Sequence, residues 1–142
     1  MNEKIDSFLE ANTCASIACL DSKGQPYCFS CYYAIDSKEG LLFFKSASDS
    51  NHATFLHSNP IIAGTILPDK LNKLQVKGIQ FEGIVLPFIN ELSKYASLKY
   101  YESHPIAVAM PGEIWTIQIN RIKYTDNTLG FGKKIIWERH VN

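Results

Sequence analysis

Residues 24–60 constrain the fold more than any other part of the chain. They contain two aromatic-rich strand patterns, at residues 27–36 and 41–46, separated by a short turn. A serine-rich segment then leads into a helix pattern at residues 51–58. The start of a helix exposes unpaired backbone N–H groups, so this order places an anion-binding feature directly after an aromatic sheet. The block predicts a site for a planar ligand that carries a phosphate.

The rest of the chain is also dominated by strand patterns. The predicted strands cover residues 13–21, 60–67, 76–88 and 113–125, a short helix precedes Asn12, and residues 129–139 are expected to be partly extended. Gly78 and Gly83 interrupt the long strand at 76–88 and predict a bulge or a close backbone approach. Six strands with few helices favour a small antiparallel barrel, because closure removes exposed strand edges.

One longer helix is predicted over residues 91–103. Its apolar residues are expected to face the core: Leu92, Tyr95, Ala96 and Leu98. The fold class is therefore mainly β, with α+β character from short flanking helices.

Length and composition indicate one globular domain over residues 1–142, with 46% hydrophobic and 20% charged residues. The 14 basic and 14 acidic side chains balance, which argues against a nucleic-acid partner. The beginning of the chain has no secretory-signal pattern, and no apolar run is long enough to span a bilayer. We therefore expect a cytoplasmic protein without a membrane partner, whose four cysteines are reduced.

A redox or zinc function is not favoured by the cysteine and histidine spacing. Cys28 and Cys31 lie three residues apart in a predicted strand, where their side chains point to opposite faces. A redox pair needs a helix start, and zinc needs four converging ligands. We predict buried structural thiols and no metal site.

The serine cluster is the strongest candidate for ligand chemistry. Ser46, Ser48 and Ser50 surround the predicted helix start, with Ser50 or Asp49 as its N-cap and His52 in its first turn. His52 is either an anion ligand or a solvated residue of the capping turn, and both interpretations stay open. The chain contains neither GxxxxGK[ST] nor GxGxxG.

Several motifs resemble the flavin-binding split barrels related to pyridoxamine 5′-phosphate oxidase. They are Gly24-x-Pro26, Tyr32-Tyr33, Asp36, Phe43-Phe44, Ser46, Ser50-Asn51-His52, Asn59-Pro60 and the segment 78–83. The segment TDNTLGFGKKIIWER at residues 125–139 is similar to the C-terminal signature of YhbP-type proteins within that superfamily. The resemblance implies a six-stranded antiparallel split β-barrel that dimerises with FMN at the subunit interface.

The resemblance also implies which residues contact FMN. Ser46 matches the position of the usual phosphate ligand, and Asn51 and His52 match positions often held by Arg and Lys. The predicted FMN-binding set is Cys28, Phe29, Ser30, Cys31, Phe44, Lys45, Ser46, Ser50, Asn51, His52, Lys133 and Lys134, the last two from the partner subunit in one arrangement. Trp115, Phe131 and Trp137 are candidate contributors to the interface.

Three functions are consistent with this assignment. The first is an FMN-dependent oxidoreductase acting on a small molecule, with no catalytic residue assigned. The second is a non-catalytic module that holds a flavin, a haem or another planar ligand. The third is a structural dimer whose cofactor site has decayed.

Overall fold

The computed structural model describes residues 1–130 and 132–140, with Leu129 described through its backbone only. The strands are β1 (Cys14–Leu20), β2 (Pro26–Asp36), β3 (Leu41–Ser46), β4 (Ile61–Ile66), β5 (Lys77–Leu86), β6 (Glu113–Asp126) and β7 (Lys134–Glu138). The α-helices are α1 (Glu3–Ala11), α2 (Asn51–Ser58) and α3 (Ala96–Ser103), and short 3₁₀ helices occupy Glu91–Ser93, Pro105–Ala109 and Asn127–Leu129. The predicted β-rich chain with short helices is confirmed.

The sheet closes into a six-stranded antiparallel barrel in the order β3-β2-β1-β4-β5-β6, with β6 pairing back onto β3. Closure depends on the length of β6, whose 14 residues serve two edges. One edge pairs with β5, and the other pairs first with β3 and then with β7. The seventh strand therefore extends the edge that β3 leaves free, and the predicted split-barrel class is confirmed.

Gly83 allows the long strand β5 to follow the barrel. The register of β5 against β6 shifts between Glu82 and Gly83. A Cβ at Gly83 would lie 2.4 Å from the carbonyl oxygen of Gln118, so any side chain would displace the backbone of β6. The predicted bulge is confirmed here, whereas the ladder runs through Gly78 without a register shift.

Two groups of buried side chains form the interior. The larger fills the barrel and includes Ile17, Phe44 and Ile117. The smaller lies outside the barrel wall, where α3 covers Phe43 and Ile114.

The region of residues 91–103 differs from its prediction. It forms a 3₁₀ turn and then α3, and only Ala96 and Tyr100 of α3 are buried. Leu92, Tyr95 and Leu98 are exposed, so their predicted core positions are wrong. Because α3 touches the outer barrel wall along a single i, i+4 stripe, only that stripe is covered.

Arg139 holds the junction between β3, β6 and β7. Its guanidinium donates to the carbonyl oxygens of Ile119 (2.8 Å), Glu39 (2.9 Å) and Gly40 (2.8 Å). Gly40 has φ 65, and a Cβ there would lie 2.6 Å from Nη2 of Arg139. The arginine of the C-terminal motif therefore has a structural role in fixing the end of the barrel.

The tryptophans are placed differently from the predicted interface. Trp115 is 2% exposed inside the barrel, so it contributes no surface to a partner, and that prediction is wrong. Trp137 is partly buried against the core beside Arg139. Phe131 lies outside the described residues. Within the described parts of the chain, each helix is too short or too polar to cross a bilayer.

Candidate functional site

The barrel is open along part of β2. This strand pairs with β1 over residues 26–32 and with β3 only over residues 33–36, so residues 26–32 have no ladder to β3. The opening is flanked by the start of α2 and by the segment after α3. A cavity of about 610 Å³ lies there. Its walls come from β2, the end of β3, α2, α3 and residues 104–111, here called the rim segment.

The start of α2 forms the polar end of the cavity. Ser50 is the N-cap and accepts a hydrogen bond from the backbone N–H of Ala53, which settles the choice between Ser50 and Asp49. The hydroxyl of Ser50 also lies 3.1 Å from Ser46 Oγ at the end of β3. The two serines therefore connect the helix start to the last residue of the strand.

His52 is held on two sides. Its Nε2 lies 2.5 Å from Ser46 Oγ, and its ring stacks on Phe29 at 3.8 Å between centroids and 9° between planes. Partial burial lowers the pKa of His52 below its ordinary value, because it disfavours the charged imidazolium. The imidazole is therefore neutral near pH 7 and acts as a fixed polar wall.

Lys45 supplies a positive charge to the same cavity. Its Nζ donates to Tyr101 Oη at 3.0 Å and to the carbonyl oxygens of Ala107 and Met110. Among the ion pairs of the described residues, none involves Lys45. The lining also contains no aspartate or glutamate from the described residues. The ammonium charge is thus surrounded by neutral dipoles and stays available to attract an anion.

The rim segment closes the opposite side of the cavity. Its Ile106, Val108 and Met110 are 87%, 64% and 62% exposed. His104, at its start, has Nε2 2.7 Å from the carbonyl oxygen of Tyr33. The segment is therefore held mainly by polar contacts, while its apolar side chains face outward around the cavity mouth.

The structure brings together only part of the predicted cofactor set. Phe29, Ser30, Cys31, Lys45, Ser46 and His52 line the cavity, and Ser50 joins them through Ser46. Phe44 is buried in the barrel core, and Asn51 is exposed on α2.

Cys28 lies on another surface. It is exposed and lines a separate groove of about 450 Å³ on the outer sheet face. The prediction of a buried thiol is wrong for Cys28, because alternate residues of β2 face outward. Cys31, on the inward side, is partly buried, and burial raises its pKa to about 12.

Lys133 and Lys134 are far from the cavity within one chain. Ser46 pairs with Glu113, whereas Lys134 pairs with Thr125. Those partners are twelve residues apart along β6, a contour length of about 40 Å at about 3.3 Å per residue, and neither lysine lines the cavity. Contact between either lysine and the ligand stays a prediction that requires a partner subunit.

Sequence reasoning missed the α3 and rim-segment side of the cavity. Tyr100, Ser103 and His104 line it, together with Ala107 and Met110. Their signal in the sequence is weak, because they reach β2 and β3 from 56 to 71 positions away. Pro105 at the beginning of a 3₁₀ helix is a local sign of a turn, as is Pro111-Gly112 at the end of the rim segment. Over the described residues, no cluster of three His, Cys, Asp or Glu side chains suits a metal ion.

Relatives of this chain support the assignment made from its motifs. No protein-family model matches the chain. A UPF0306 protein of Photorhabdus laumondii is 37% identical over 121 residues, covering 85% of both chains. The chain belongs to the UPF0306 (YhbP) family. The YhbP protein of Escherichia coli is 31% identical over 121 residues, covering 85% of this UPF0306 chain and 86% of its relative.

Solved structures place this UPF0306 chain in the split-barrel fold of pyridoxamine phosphate oxidase-like proteins. A haem-binding protein from Mycobacterium smegmatis superposes with a TM-score of 0.79 at 13% identity, covering 96% of this chain and 57% of that one. A FAD-binding protein from Mesorhizobium loti superposes with a TM-score of 0.68 at 19% identity, covering 89% of this chain and 94% of that one. A Clostridium acetobutylicum protein of the pyridoxinephosphate oxidase family superposes with a TM-score of 0.66 at 11% identity, covering 95% of this chain and 92% of that one. At these identities the likeness establishes the fold.

Proposed function

We propose that this protein binds FMN in the cavity beside Ser46 and His52 and acts as a flavin-dependent oxidoreductase on a small molecule. One observation carries the proposal. An aromatic wall, a helix start and a lysine that has no carboxylate partner among the described residues converge on one open cavity of about 610 Å³. That volume is in the usual range for small-molecule sites.

The β2 side of the cavity suits the flavin ring. Phe29 and Tyr32 supply aromatic surface, and Ser30 and Cys31 supply small side chains between them. Cys31 remains a neutral thiol at physiological pH because its pKa is raised to about 12. The ring would therefore lie against aromatic and small neutral side chains of β2.

The α2 side suits the phosphate. Ser46 and His52 are within reach of one another at the helix start, where N–H groups and the helix dipole favour negative charge. Lys45 adds a cation to the same cavity. This donor set fits an anionic group. Among the described lining residues Lys45 is the one permanent cation, whereas the related oxidases often hold Arg and Lys at the positions of Asn51 and His52.

The bound flavin would supply hydride or electron transfer, which no side chain of the cavity can perform. The chain's own residues bind and orient it. Phe29 and His52 form one rigid wall through their stack, and the rim segment covers the opposite side and limits the access of water.

Haem is the second candidate ligand. The cavity contains two imidazoles, His52 and His104, and the Lys45 ammonium could pair with a propionate. Relatives in fold include a haem-binding protein and a FAD-binding protein. Adding each ligand to the purified protein separates the candidates, because haem and flavin have distinct visible spectra.

A second copy of this chain is the proposed partner. Its contact surface would be the outer sheet face, which adjoins the cavity at Ser30, since Ser30 lines the cavity and its Oγ lies 3.5 Å from Ser16 Oγ. The cofactor would then lie at the edge of the interface. The outer sheet face carries small, accessible side chains at Ser16, Ala18, Cys28 and Ala63, which allow another sheet to approach closely. A charged side chain at the exposed Ala63 would obstruct that approach. Light scattering should report a dimer for the native chain and a monomer for Ala63→Arg.

Calorimetry with FMN tests the binding proposal. Ser46→Ala removes a hydroxyl of the phosphate end and should weaken FMN binding about tenfold, the value of one hydrogen bond to a charged group. Ser48→Ala is the matched control, since Ser48 is exposed on the same loop and does not line the cavity. Equal affinities of the two variants, or no binding by the native protein, would contradict the proposal.

A further inference from the structure

A chain of hydrogen bonds runs from α2 into His52. The N–H of Ala53 donates to Ser50 Oγ at 3.3 Å, and Ser50 Oγ lies 3.1 Å from Ser46 Oγ. The backbone N–H of Ala53 can only donate, so Ser50 Oγ accepts from it and can donate its own hydroxyl proton to Ser46. Ser46 has one proton and two acceptors in reach, His52 Nε2 at 2.5 Å and the carbonyl oxygen of Ala47 at 3.2 Å. We place the proton of the neutral imidazole on Nδ1, so that Nε2 accepts the proton of Ser46 over the shorter of the two distances.

This assignment leaves the polar end of the cavity short of donors. The proton of Ser46 points at His52, and Nε2 of the neutral imidazole is then an acceptor. The ammonium of Lys45 has three N–H groups and three oxygen partners. Apart from the backbone N–H groups at the start of α2, an arriving phosphate therefore gains a donor from Ser46, His52 or Lys45 only if that side chain leaves its present partner.

We propose that His52 takes up one proton from solvent when the phosphate of the ligand binds, so that phosphate and proton bind together. Ser46 turns its hydroxyl from His52 to the phosphate, which frees the Nε2 lone pair. Protonation at Nε2 converts that acceptor into a charged donor facing the anion. This inference rests on the proposed function, since it concerns the charge balance of the same FMN site.

The surroundings of His52 are consistent with such a proton uptake. The other titratable groups lining the cavity are Cys31 and Tyr32 of β2, Lys45 of β3, Tyr100 of α3 and His104 of the rim segment. Burial raises the pKa of both Cys31 and Tyr100, which keeps them neutral.

Among the described residues that line the cavity, no carboxylate competes with the phosphate for the imidazolium. Asp49 is the carboxylate nearest to Ser46 along the chain, and Glu113 pairs with Ser46 across β3 and β6. Both are exposed and lie outside the cavity.

The pH dependence has a defined sign. Burial lowers the pKa of His52 in the free protein, and a bound anion raises it. Proton uptake therefore occurs at pH values between the pKa of His52 in the free protein and its pKa in the complex. Within that pH window, affinity for the phosphate falls as pH rises. The second ionisation of a phosphate monoester lies near about pH 6, so the ligand is a dianion above about pH 7. Above about pH 7 and within this window, Kd should rise by up to about tenfold per pH unit.

Calorimetry in two buffers tests the inference. FMN is titrated at pH 8 in a buffer of high and a buffer of low ionisation enthalpy, and the difference in measured heat gives the number of protons taken up. We expect net uptake of up to about one proton for FMN and none for riboflavin, which has the same ring without the phosphate. His52→Gln should abolish the uptake, whereas His57→Gln, on the exposed last turn of α2, should retain it.

Each outcome has a defined meaning. FMN binding without proton uptake in the native protein overturns the inference and leaves the proposed function intact. Absence of FMN binding overturns both. The comparison of FMN with riboflavin uses the native protein alone, so it decides the question even if His52→Gln does not fold.

Discussion

Replacing Lys45 with methionine should release the rim segment without unfolding the barrel. Methionine keeps most of the side-chain volume but cannot donate to Tyr101, Ala107 or Met110. No residue of the 3₁₀ helix Pro105–Ala109 is fully buried, and Ala107 packs only partly buried against the outer core, so apolar contacts contribute little beside this anchor.

The size of the effect follows from the exposure of the three acceptors. The contact with the Met110 carbonyl is exposed, so water can take the place of the ammonium there. The contacts with Ala107 and Tyr101 are partly buried, and each costs about 1–1.5 kcal/mol when lost. Local opening of the rim segment should become easier by about 2–3 kcal/mol. Since about 1.4 kcal/mol changes an equilibrium constant tenfold, the equilibrium constant for local opening should increase about 30- to 150-fold.

Hydrogen exchange measured by mass spectrometry reports that opening directly. Peptides covering residues 104–111 should exchange faster by this factor in Lys45→Met, while peptides from β1 should be unchanged. Lys134→Met is the matched control, because Lys134 is exposed on β7. Exchange of residues 104–111 that does not differ between native protein and Lys45→Met would refute the anchoring role.

Three further predictions concern the rest of the structure. Arg139→Ala should lower the free energy of unfolding by about 2–4 kcal/mol in urea titrations, because three carbonyl oxygens lose a charged donor. A disulfide reagent at pH 8 should modify the exposed Cys28 and Cys14 quickly and Cys31 slowly, because burial raises the pKa of Cys31 to about 12; equal rates would contradict its placement. Burial alone would raise the pKa of Asp126, but its hydrogen bonds and a nearby lysine hold it below the ordinary value, so its stabilising effect is present above about pH 4 and is lost as pH falls through the lowered pKa. Urea titrations from pH 5 to 2 should show this loss in the native protein and a smaller one in Asp126→Asn.

The strands could be predicted from the sequence because their signals are local. Alternation along residues 113–125 defines β6 within one residue of its observed end, and the turn at Gly40 separates β2 from β3. The helix start at Ser50 was also predictable, since a serine N-cap acts on an amide three residues later. These features depend only on neighbours in the chain.

The features that the sequence did not predict depend on contacts between residues far apart in the chain. The sharing of one β6 edge by β3 and β7 follows from strand length and barrel closure, which no local pattern encodes. Lys45 looks like a free cation in sequence, yet its partners lie 56 to 65 residues away. Leu92 and Leu98 have a helical apolar spacing, but a helix on the outer wall of a small barrel has little surface to cover them.

The visible absorption spectrum of the protein purified without added cofactor tests the central claim most directly. We predict a yellow protein with flavin absorption, or a colourless one that acquires it on dialysis against FMN at one FMN per subunit. A protein that remains colourless after dialysis against FMN, or that takes up haem in preference to FMN, would contradict the account.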